Sequence, residues 1–487
     1  MPPQVAEAPG KPISLRYAAI TNWSLTQTRS FVSERRIFSR QEIAALNSEL
    51  KNDDRGDAMK FTIIDNKIYD VSDFVHEHPG GAQVLLTQLG KDATDVFHAM
   101  HPASAYEVLA NNYVGDLAND VSLPKGNNTA FADEMRDYRD KLEAQGFFKA
   151  DKGFYAYKLV STVMISVLSL AILRAYGHST TGVLVSAFIM GMFWQQCGWL
   201  SHDFAHHQVF EDRSLNDVVV VFLGNLCQGF SLSWWKNKHN THHASTNVHG
   251  QDPDINTAPI LLWDEYTSSD YYSSLSAEDS GVAKFIAQNI IPNQTRYFFF
   301  VLAFARLSWA HSSLLYSFKK GSINKSAMLN FFECAAIVVH WTVFSAVTYF
   351  WIDSAINRAL FFIVSQATTG YALALVFALN HSGMPVISEE KAEEMEFFEI
   401  QVITGRDVQN GLLGDWFCGG LNYQIEHHIF PNMPRHNLKK VQPKVIEMCK
   451  RHNVPYHLTG FWKGTLEVLQ TLDIVQKVSA KLSKKAF

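Results

Sequence analysis

The sequence predicts a small soluble α+β domain followed by an all-α polytopic membrane domain. A strand–turn–strand pattern near the N-terminus, Phe61–Ile64 and Lys67–Asp70 around Asp65-Asn66, indicates the α+β domain. Beyond residue 154 come apolar runs close to the ~20 residues that a bilayer crossing needs. Histidines lie in three tight clusters beside these runs, which places polar chemistry at the membrane edge.

Changes in composition divide the 487 residues into four regions. We expect a disordered N-terminal extension over 1-36, the α+β domain over 37-117, a linker with a pre-membrane helix over 118-153, and the membrane domain over 154-487. Ser39 and Glu42 form a capping box that opens a first helix. The net charge of −5 argues against nucleic acid as a partner. The five cysteines are scattered without a C-x-x-C pair, so metal ligands must be nitrogen donors.

Four apolar runs are predicted to span the membrane, and two other runs to lie along its surface. Tyr297–Tyr316 carries Arg306 and His311 near its middle, and a central charge is costly in hydrocarbon, so it is assigned to the interface. Val218–Phe230 is too short to span comfortably. An even number of crossings leaves all three histidine clusters on one side, which the lysines around Lys320 mark as cytosolic. The predicted spans are 159–175, 181–200, 332–351 and 359–379.

A histidine–glycine motif in the small domain points to a haem. His78-Pro79-Gly80-Gly81 is followed by Gly90-Lys91-Asp92-Ala93-Thr94 and by a histidine four residues beyond Phe97. Together these motifs resemble the cytochrome b5 domain. The resemblance implies a haem b whose iron is held axially by His78 and His101, beside Pro79, Gly80 and Gly81, and which carries electrons. The neighbouring histidines, interpreted as surface residues, are His76 and His98.

The three histidine clusters have the spacing of metal ligands. In the second and third clusters, positions i, i+3 and i+4 share one face of a helix, and imidazole suits iron. The clusters resemble the three histidine boxes of membrane fatty-acid desaturases, which implies two non-haem irons and O2 as co-substrate. An additional histidine, at the end of the last span, lies where the site must form. The predicted metal ligands are His202, His206, His207, His239, His242, His243, His381, Gln424, His427 and His428.

Gln424 occupies the position that His239 occupies in the second box. A glutamine there, with an N-terminal cytochrome b5-like domain, resembles the pattern of front-end desaturases. Gln424 is expected to ligate through its amide oxygen or to act beside the metal. Carboxylates that are candidates for orienting imidazoles are Asp203, Asp252, Asp254 and Glu426. The histidines expected to be packed or otherwise not to bind metal are His340, His311, His436, His452 and His457.

The resemblance extends beyond the boxes, through Ser233–His239 and Gly420–Gln424 among others, and is greatest to fungal Δ6 desaturases. It implies an acyl-lipid or acyl-CoA Δ6 desaturase that inserts a cis double bond between the Δ9 bond and the carboxyl end of linoleate or α-linolenate. It also implies an endoplasmic reticulum membrane protein with its haem domain and metal site on the cytosolic face, reduced by NADH-cytochrome b5 reductase. The open alternatives are Δ5, Δ8 or sphingoid-base regioselectivity, a fatty-acyl hydroxylase, and a membrane-tethered electron carrier.

Overall fold

The computed structural model describes residues 37–43, 60–118, 128–276, 281–409 and 411–486. The described residues form two compact units, one within residues 37–76 and 88–118 and the other within residues 77–87 and 128–486. The expected N-terminal extension, and residues 119–127 of the expected linker, lie outside the described residues. The smaller unit carries a four-stranded sheet, and the larger unit carries the long helices.

Residues 37–117 contain the elements β1 (Ile37–Phe38), β2 (Phe61–Ile64), β3 (Lys67–Asp70), α1 (Ala82–Leu86), α2 (Thr94–Met100), α3 (Ala105–Ala110) and β4 (Tyr113–Leu117), of which α1 clusters with the larger unit. The sheet order is β1-β4-β3-β2; β1 and β4 are parallel, and the other neighbours are antiparallel. Asp65 and Asn66 both have positive φ, as a tight hairpin turn requires. The predicted strand–turn–strand pattern is confirmed.

The smaller unit has an apolar core built on its sheet. Its members are buried side chains of β1, β2 and β3 and of the short segment after β1: Phe38, Ile43, Phe61, Ile63 and Ile68. The predicted capping box forms, since the backbone N–H of Ser39 donates to Glu42 Oε2 at 2.8 Å. The backbone N–H of Glu42 donates back to Ser39 Oγ at 3.1 Å.

Long helices dominate the first part of the larger unit. The α-helices of this part, long and short, are α4 (Thr129–Ala144), α5 (Lys152–Tyr176), α6 (Thr180–Ala205), α7 (Arg213–Val220), α8 (Leu232–Ala244), α9 (Glu265–Ser273), α10 (Gly281–Phe285), α11 (Gln294–Leu302), α12 (Ala305–Lys319), α13 (Ala327–Trp351) and α14 (Ala355–His381). Among the described residues, four of them are long and apolar enough to cross a membrane: α5, α6, α13 and α14. The prediction of four such helices is confirmed.

Three of these helices begin before the apolar runs that predicted them, because polar side chains cap their N-termini. Asp151 accepts hydrogen bonds from the first turn of α5. Ser326 and Ser354 do the same for α13 and α14. A capping residue satisfies backbone N–H groups that have no partner within the helix. The helix start is therefore set by the cap, and the apolar run begins only after it.

α6 and α14 form the centre of the membrane domain. The most apolar windows of these two helices are 67% and 50% buried, whereas those of α5 and α13 are each 17% buried. The two central helices approach closely at Gly191, where an added Cβ would lie 2.5 Å from Thr368 Cβ. Their C-terminal turns carry His202 and His381. The most enclosed helices of the bundle thus carry two of the clustered histidines in their C-terminal turns.

Two further helix pairs are sharply bent. α7 continues through a π-helical turn, Val221–Gln228, and then meets α8 at 108°. The run 297–316, predicted to be one interfacial helix, is broken between α11 and α12, and the segments around this break differ by 78°. Arg306, the reason for that prediction, is fully buried in protein: its guanidinium lies 3.8 Å above the Trp194 ring and donates to the Gln228 carbonyl at 2.7 Å.

The chain beyond α14 folds into a helical layer. Its elements are α15 (Glu389–Glu393), α16 (Phe397–Ile403), β5 (Asp407–Val408), α17 (Leu412–Phe417), α18 (Gln424–Ile429), α19 (Arg435–Arg451), β6 (Leu458–Thr459) and α20 (Phe461–Ala486). All residues of α18 are buried. Gly419, which precedes α18, has φ +62°, and an added Cβ there would lie 2.2 Å from Trp199 Cγ. Only glycine allows this loop to approach α6, which brings the third histidine box against the first.

Candidate metal centre

Eight buried histidines form two groups whose ring nitrogens lie within 4.8 Å of one another in each group. They come from the end of α6, from α8, from the end of α14 and from α18. The five-histidine group consists of His202, His206, His239, His243 and His427. The three-histidine group consists of His242, His381 and His428. The fold therefore brings the three predicted boxes and the predicted additional histidine together.

In the five-histidine group, ring nitrogens face ring nitrogens. His243 Nε2 lies 3.0 Å from His239 Nε2 and 3.1 Å from His427 Nε2. His202 Nε2 and His206 Nε2 are buried and have no hydrogen-bond partner among the described residues. Nitrogen lone pairs converging in a buried space are stabilised by a cation between them, and imidazole is a common ligand of iron. These residues fit a metal ion.

In the three-histidine group, hydrogen bonds hold each ring from behind. His381 Nε2 and His428 Nε2 lie 3.1 Å apart. The opposite nitrogens, the Nδ1 atoms, lie near acceptors: 2.9 Å from Asp252 Oδ2 for His242, 3.1 Å from the Thr404 carbonyl for His381, and 2.8 Å from Gln401 Oε1 for His428. A proton held on Nδ1 leaves the Nε2 lone pair for a metal. This group fits a second ion.

His207 lies outside both groups, although the sequence predicted it as a ligand. α6 ends at Ala205, and His207 has φ +57°, so it does not follow the helical spacing of His202 and His206. Its Nε2 lies 3.1 Å from Asp217 Oδ1 and 3.0 Å from Lys236 Nζ. Burial and the nearby Lys236 charge lower the pKa of His207 to about 4. The ring is therefore neutral and belongs to a polar cluster apart from the metal nitrogens.

Gln424 lies at the edge of the three-histidine group. Its Nε2 is 2.8 Å from His381 Nε2, and its Oε1 accepts a hydrogen bond from Asn380 Nδ2 at 2.7 Å. Exchanging oxygen and nitrogen in both amides preserves the bond to Asn380 and turns Gln424 Oε1 toward His381. The side chain is thus within reach of a metal held by this group.

Electrostatics keep the two imidazoles of the third box neutral, as metal binding requires. Burial, followed by the neighbouring histidines, holds the pKa of His427 and His428 well below the usual value, so both rings are neutral at physiological pH. Between Gln424 and these residues, burial and the nearby Asp407 raise the pKa of Glu426 well above its usual value. Tyr456 donates to Glu426 Oε1 at 2.8 Å. Burial therefore favours the neutral form of Glu426, whose carboxyl group is held by Tyr456.

The other predicted carboxylates divide by their contacts. Asp203 pairs with Arg435 and lies 3.8 Å from His202 Nδ1. Asp252 bonds His242 directly, whereas Asp254 pairs with Lys238 at 3.0 Å. Residues that carry no motif were missed by sequence reasoning, because their roles depend on tertiary contacts: Thr246, Asn380, Gln401 and Thr404. Five further histidines, which the sequence predicted not to bind metal, are not members of either group: His311, His340, His436, His452 and His457.

An apolar cavity adjoins the ring nitrogens of both histidine groups. Its volume is about 330 Å3, and it is lined by aliphatic and aromatic side chains that include Trp199, Trp234 and Trp309. His202, His239, His242, His381 and Gln424 line it as well. Ligand sites are typically apolar with a few convergent polar groups. A long hydrocarbon chain in this cavity would lie against the histidine groups.

The predicted haem ligands each have Nδ1 bonded to a backbone carbonyl. The distances are 2.9 Å from His78 to the Gly81 oxygen and 3.1 Å from His101 to the Phe97 oxygen. A proton on Nδ1 leaves Nε2 as the nitrogen that can bind iron. An added Cβ at Gly80 would lie 2.7 Å from His78 Cε1, so glycine leaves room for that ring. Each of the two rings, considered by itself, thus has the tautomer that a haem ligand needs.

The neighbouring histidines of the small domain are placed differently. His76 is exposed. His98 is partly exposed, and its Nε2 lies 2.9 Å from Asp65 Oδ1, while the Tyr106 hydroxyl donates to Asp65 Oδ2 at 2.6 Å. These contacts tie α2 to the β2–β3 turn.

Comparison with known proteins gives two family matches. Residues 46–118 match the cytochrome b5-like haem/steroid binding domain, and residues 179–460 match the fatty acid desaturase family. The acyl-lipid (9-3)-desaturase of Physcomitrium patens is 37% identical over 86% of this chain and 76% of its own length. The delta(8)-fatty-acid desaturase of Euglena gracilis is 33% identical over 85% of this chain and 94% of its own.

A third relative, the delta(6)-fatty-acid desaturase of Caenorhabditis elegans, is 34% identical over 86% of this chain and 97% of its own length. The fungal likeness expected from the sequence is not shown by these relatives. The family uses two irons, and the cytochrome b5-like domain implies a haem, as the motifs predicted. Histidine boxes, membrane helices and relatives agree, and the chain belongs to the fatty acid desaturase family, in a front-end form fused to a cytochrome b5-like domain.

Proposed function

We propose that this desaturase inserts a cis double bond at the Δ6 position of linoleoyl and α-linolenoyl chains. The observation that carries the proposal is the pair of buried histidine groups beside an apolar cavity. The delta(6)-fatty-acid desaturase of Caenorhabditis elegans and the acyl-lipid (9-3)-desaturase of Physcomitrium patens support the Δ6 position. The delta(8) relative makes Δ8 the second candidate, at a similar level of identity.

The proposed iron ligands are the eight grouped histidines, five for one ion and three for the other, with Gln424 beside the second ion. His207 is left out because its nitrogen contacts Asp217 and Lys236. When bound, two irons supply an oxidant, formed from O2, that is able to remove hydrogen from unactivated methylenes. The protein's own part is to orient the imidazoles through the acceptors behind their rings and to keep His427 and His428 neutral.

The cavity is proposed to hold the acyl chain. Its apolar walls favour hydrocarbon and exclude water, and its histidine-lined side fixes which methylenes meet the metals. The acyl group would be carried by a membrane lipid or by coenzyme A. Burial of the chain along rigid tryptophan walls positions one pair of carbons, which is the basis of regioselectivity.

The haem domain is proposed to supply electrons singly. His78 and His101 would ligate the haem iron, with Pro79, Gly80 and Gly81 shaping the loop beside it. Two histidine ligands leave no open position on haem iron, which suits electron transfer. NADH-cytochrome b5 reductase is the proposed donor, and the endoplasmic reticulum membrane, with haem domain and metal site on the cytosolic face, is the proposed location.

The test is expression in yeast fed linoleate, with fatty acids identified by gas chromatography and mass spectrometry. We expect γ-linolenate, and stearidonate when α-linolenate is fed. The matched control is the His428→Ala variant, which should give neither product. A double bond at another position would reject Δ6, and a hydroxylated product would reject desaturation. Feeding a 20-carbon chain with a Δ11 bond tests the Δ8 alternative directly.

A further inference from the structure

Gln401, on α16, lies outside every motif in the sequence, yet its side chain is fixed beside the third box. It is 1% exposed. Its Oε1 lies 2.8 Å from His428 Nδ1, and its Nε2 donates to the His243 carbonyl at 3.1 Å. A carbonyl only accepts hydrogen bonds, so the amide nitrogen must face His243 and the amide oxygen must face His428. The orientation of this amide is therefore determined by its contacts.

The same contacts determine the proton position on His428. An amide oxygen only accepts, so His428 Nδ1 carries the proton and Nε2 keeps its lone pair. That Nε2 lies 3.1 Å from His381 Nε2, within the three-histidine group. The Thr246 hydroxyl lies 3.1 Å from His428 Nδ1 and donates toward the His242 carbonyl or Gln401 Oε1, at 2.8 and 2.9 Å. Gln401 and Thr246 thus connect the second box to the ring of the third.

The other two imidazoles of this group have acceptors of different chemistry. His242 is held by the carboxylate of Asp252 and His381 by the backbone carbonyl of Thr404. Gln401 is the neutral side-chain acceptor of the three. Its amide nitrogen also donates to the backbone of the second box. Removing the side chain would therefore release the ring of His428 and remove a contact between the two boxes.

We propose that Gln401 is a positioning residue of the metal centre, which fixes the tautomer and ring direction of His428 so that the three-histidine group can hold its ion. The inference rests on the proposed metal site and goes beyond it, since it assigns a role to a residue without a motif. Removing the acceptor behind a metal-bound imidazole commonly lowers metal affinity by about 10- to 100-fold.

The test compares three variants of the full-length, haem-loaded protein in detergent: Gln401→Leu, Gln401→Glu and Gln294→Leu. Gln294 is the matched control, a fully buried amide whose contacts are the backbone of Leu262 and Leu472. Bound metal per chain is counted by mass spectrometry, and Co2+ affinity is measured by its visible spectrum. Haem content and the thermal unfolding midpoint report folding.

Gln401→Leu should lower affinity for one of two ions by about 10- to 100-fold with haem content unchanged. Gln401→Glu keeps an acceptor toward His428 but loses the donor to the His243 carbonyl, so it should lose less affinity than Gln401→Leu, and Gln294→Leu should retain both ions. Two ions bound with unchanged affinity in Gln401→Leu would overturn the proposal. So would equal losses in Gln401→Leu and Gln294→Leu, or loss in Gln401→Glu as large as in Gln401→Leu. If the wild type binds two ions without desaturating, the proposed function fails while this inference stands.

Discussion

The two histidine groups gather their ligands in different ways. The five-histidine group has more imidazoles, but His243 Nδ1 has no partner among the described residues, and His202 Nδ1 lies 3.8 Å from Asp203. The three-histidine group has fewer rings, and each has an acceptor behind it. The five-histidine group would hold its ion mainly through the number of its ligands. The three-histidine group would hold its ion through the fixed orientation of each ring. Substitutions should therefore affect the two groups differently.

The largest expected effect comes from removing a ring from the smaller group. His381→Ala leaves two imidazoles, whereas His202→Ala leaves four in its own group. We expect His381→Ala to lose one ion per chain and to reduce desaturation on the order of 100-fold or more, and His202→Ala to lose less metal. Metal analysis and product yield measure this, with the exposed His311→Ala as control. Greater metal loss in His202→Ala would reverse the comparison.

Next in size is the carboxylate behind His242. Asp252 is buried and accepts from His242 Nδ1, while the neighbouring Asp254 pairs with Lys238. Asp252→Ala should lower the affinity for one ion by about 10- to 100-fold, and Asp254→Ala by much less. Titration of the metal-free variants with Co2+ gives both affinities. Equal effects of the two substitutions would show that direct contact with the ring is not what matters.

A smaller effect is expected from pH. Burial, followed by neighbouring histidines, lowers the pKa of His428 in the folded protein below its usual 6.5. A lowered pKa contributes stability above pH 6.5, and this stability is lost as pH falls toward the folded-state pKa. The metal-free protein should therefore unfold at lower temperature as pH drops from about 8 to about 5.5. His428→Gln should flatten this dependence, and an identical slope in both proteins would contradict it.

The smallest expected effect is at His207. Because its ring contacts Asp217 and Lys236, His207→Gln should keep both ions, with affinities within about threefold of wild type, well below the effect of losing a ligand. The substitution distinguishes two interpretations of the first box. The sequence predicted three metal ligands there, whereas the structure groups only His202 and His206 with the other histidines. Loss of an ion in His207→Gln would return His207 to the ligand set.

Much of the fold and the site was predictable because it depends on local patterns. Apolar length predicted the four membrane helices, and the i, i+3, i+4 spacing placed the second box on one helix face. His381 was predicted as a ligand because it lies just beyond the last predicted span, 359–379, at the membrane edge. Helix starts were missed where Asp151, Ser326 and Ser354 extend the helix beyond its apolar run.

What sequence could not provide depends on contacts between distant segments. Arg306 was assigned to an interface because its charge is costly in lipid, but Trp194 and the Gln228 carbonyl enclose it within protein. Gln401 lies 27 residues before His428, with no motif to connect them. Such partners follow only from the packed structure, in which α16 lies beside α18.

The most direct measurement of the central claim is a count of non-haem iron and haem in the same purified full-length protein, for the wild type and for His381→Ala. Two histidine groups that each hold an ion predict about two non-haem irons per haem in the wild type and about one in the variant. A wild-type ratio near zero would contradict the metal centre. An unchanged ratio in His381→Ala would contradict the division into two groups.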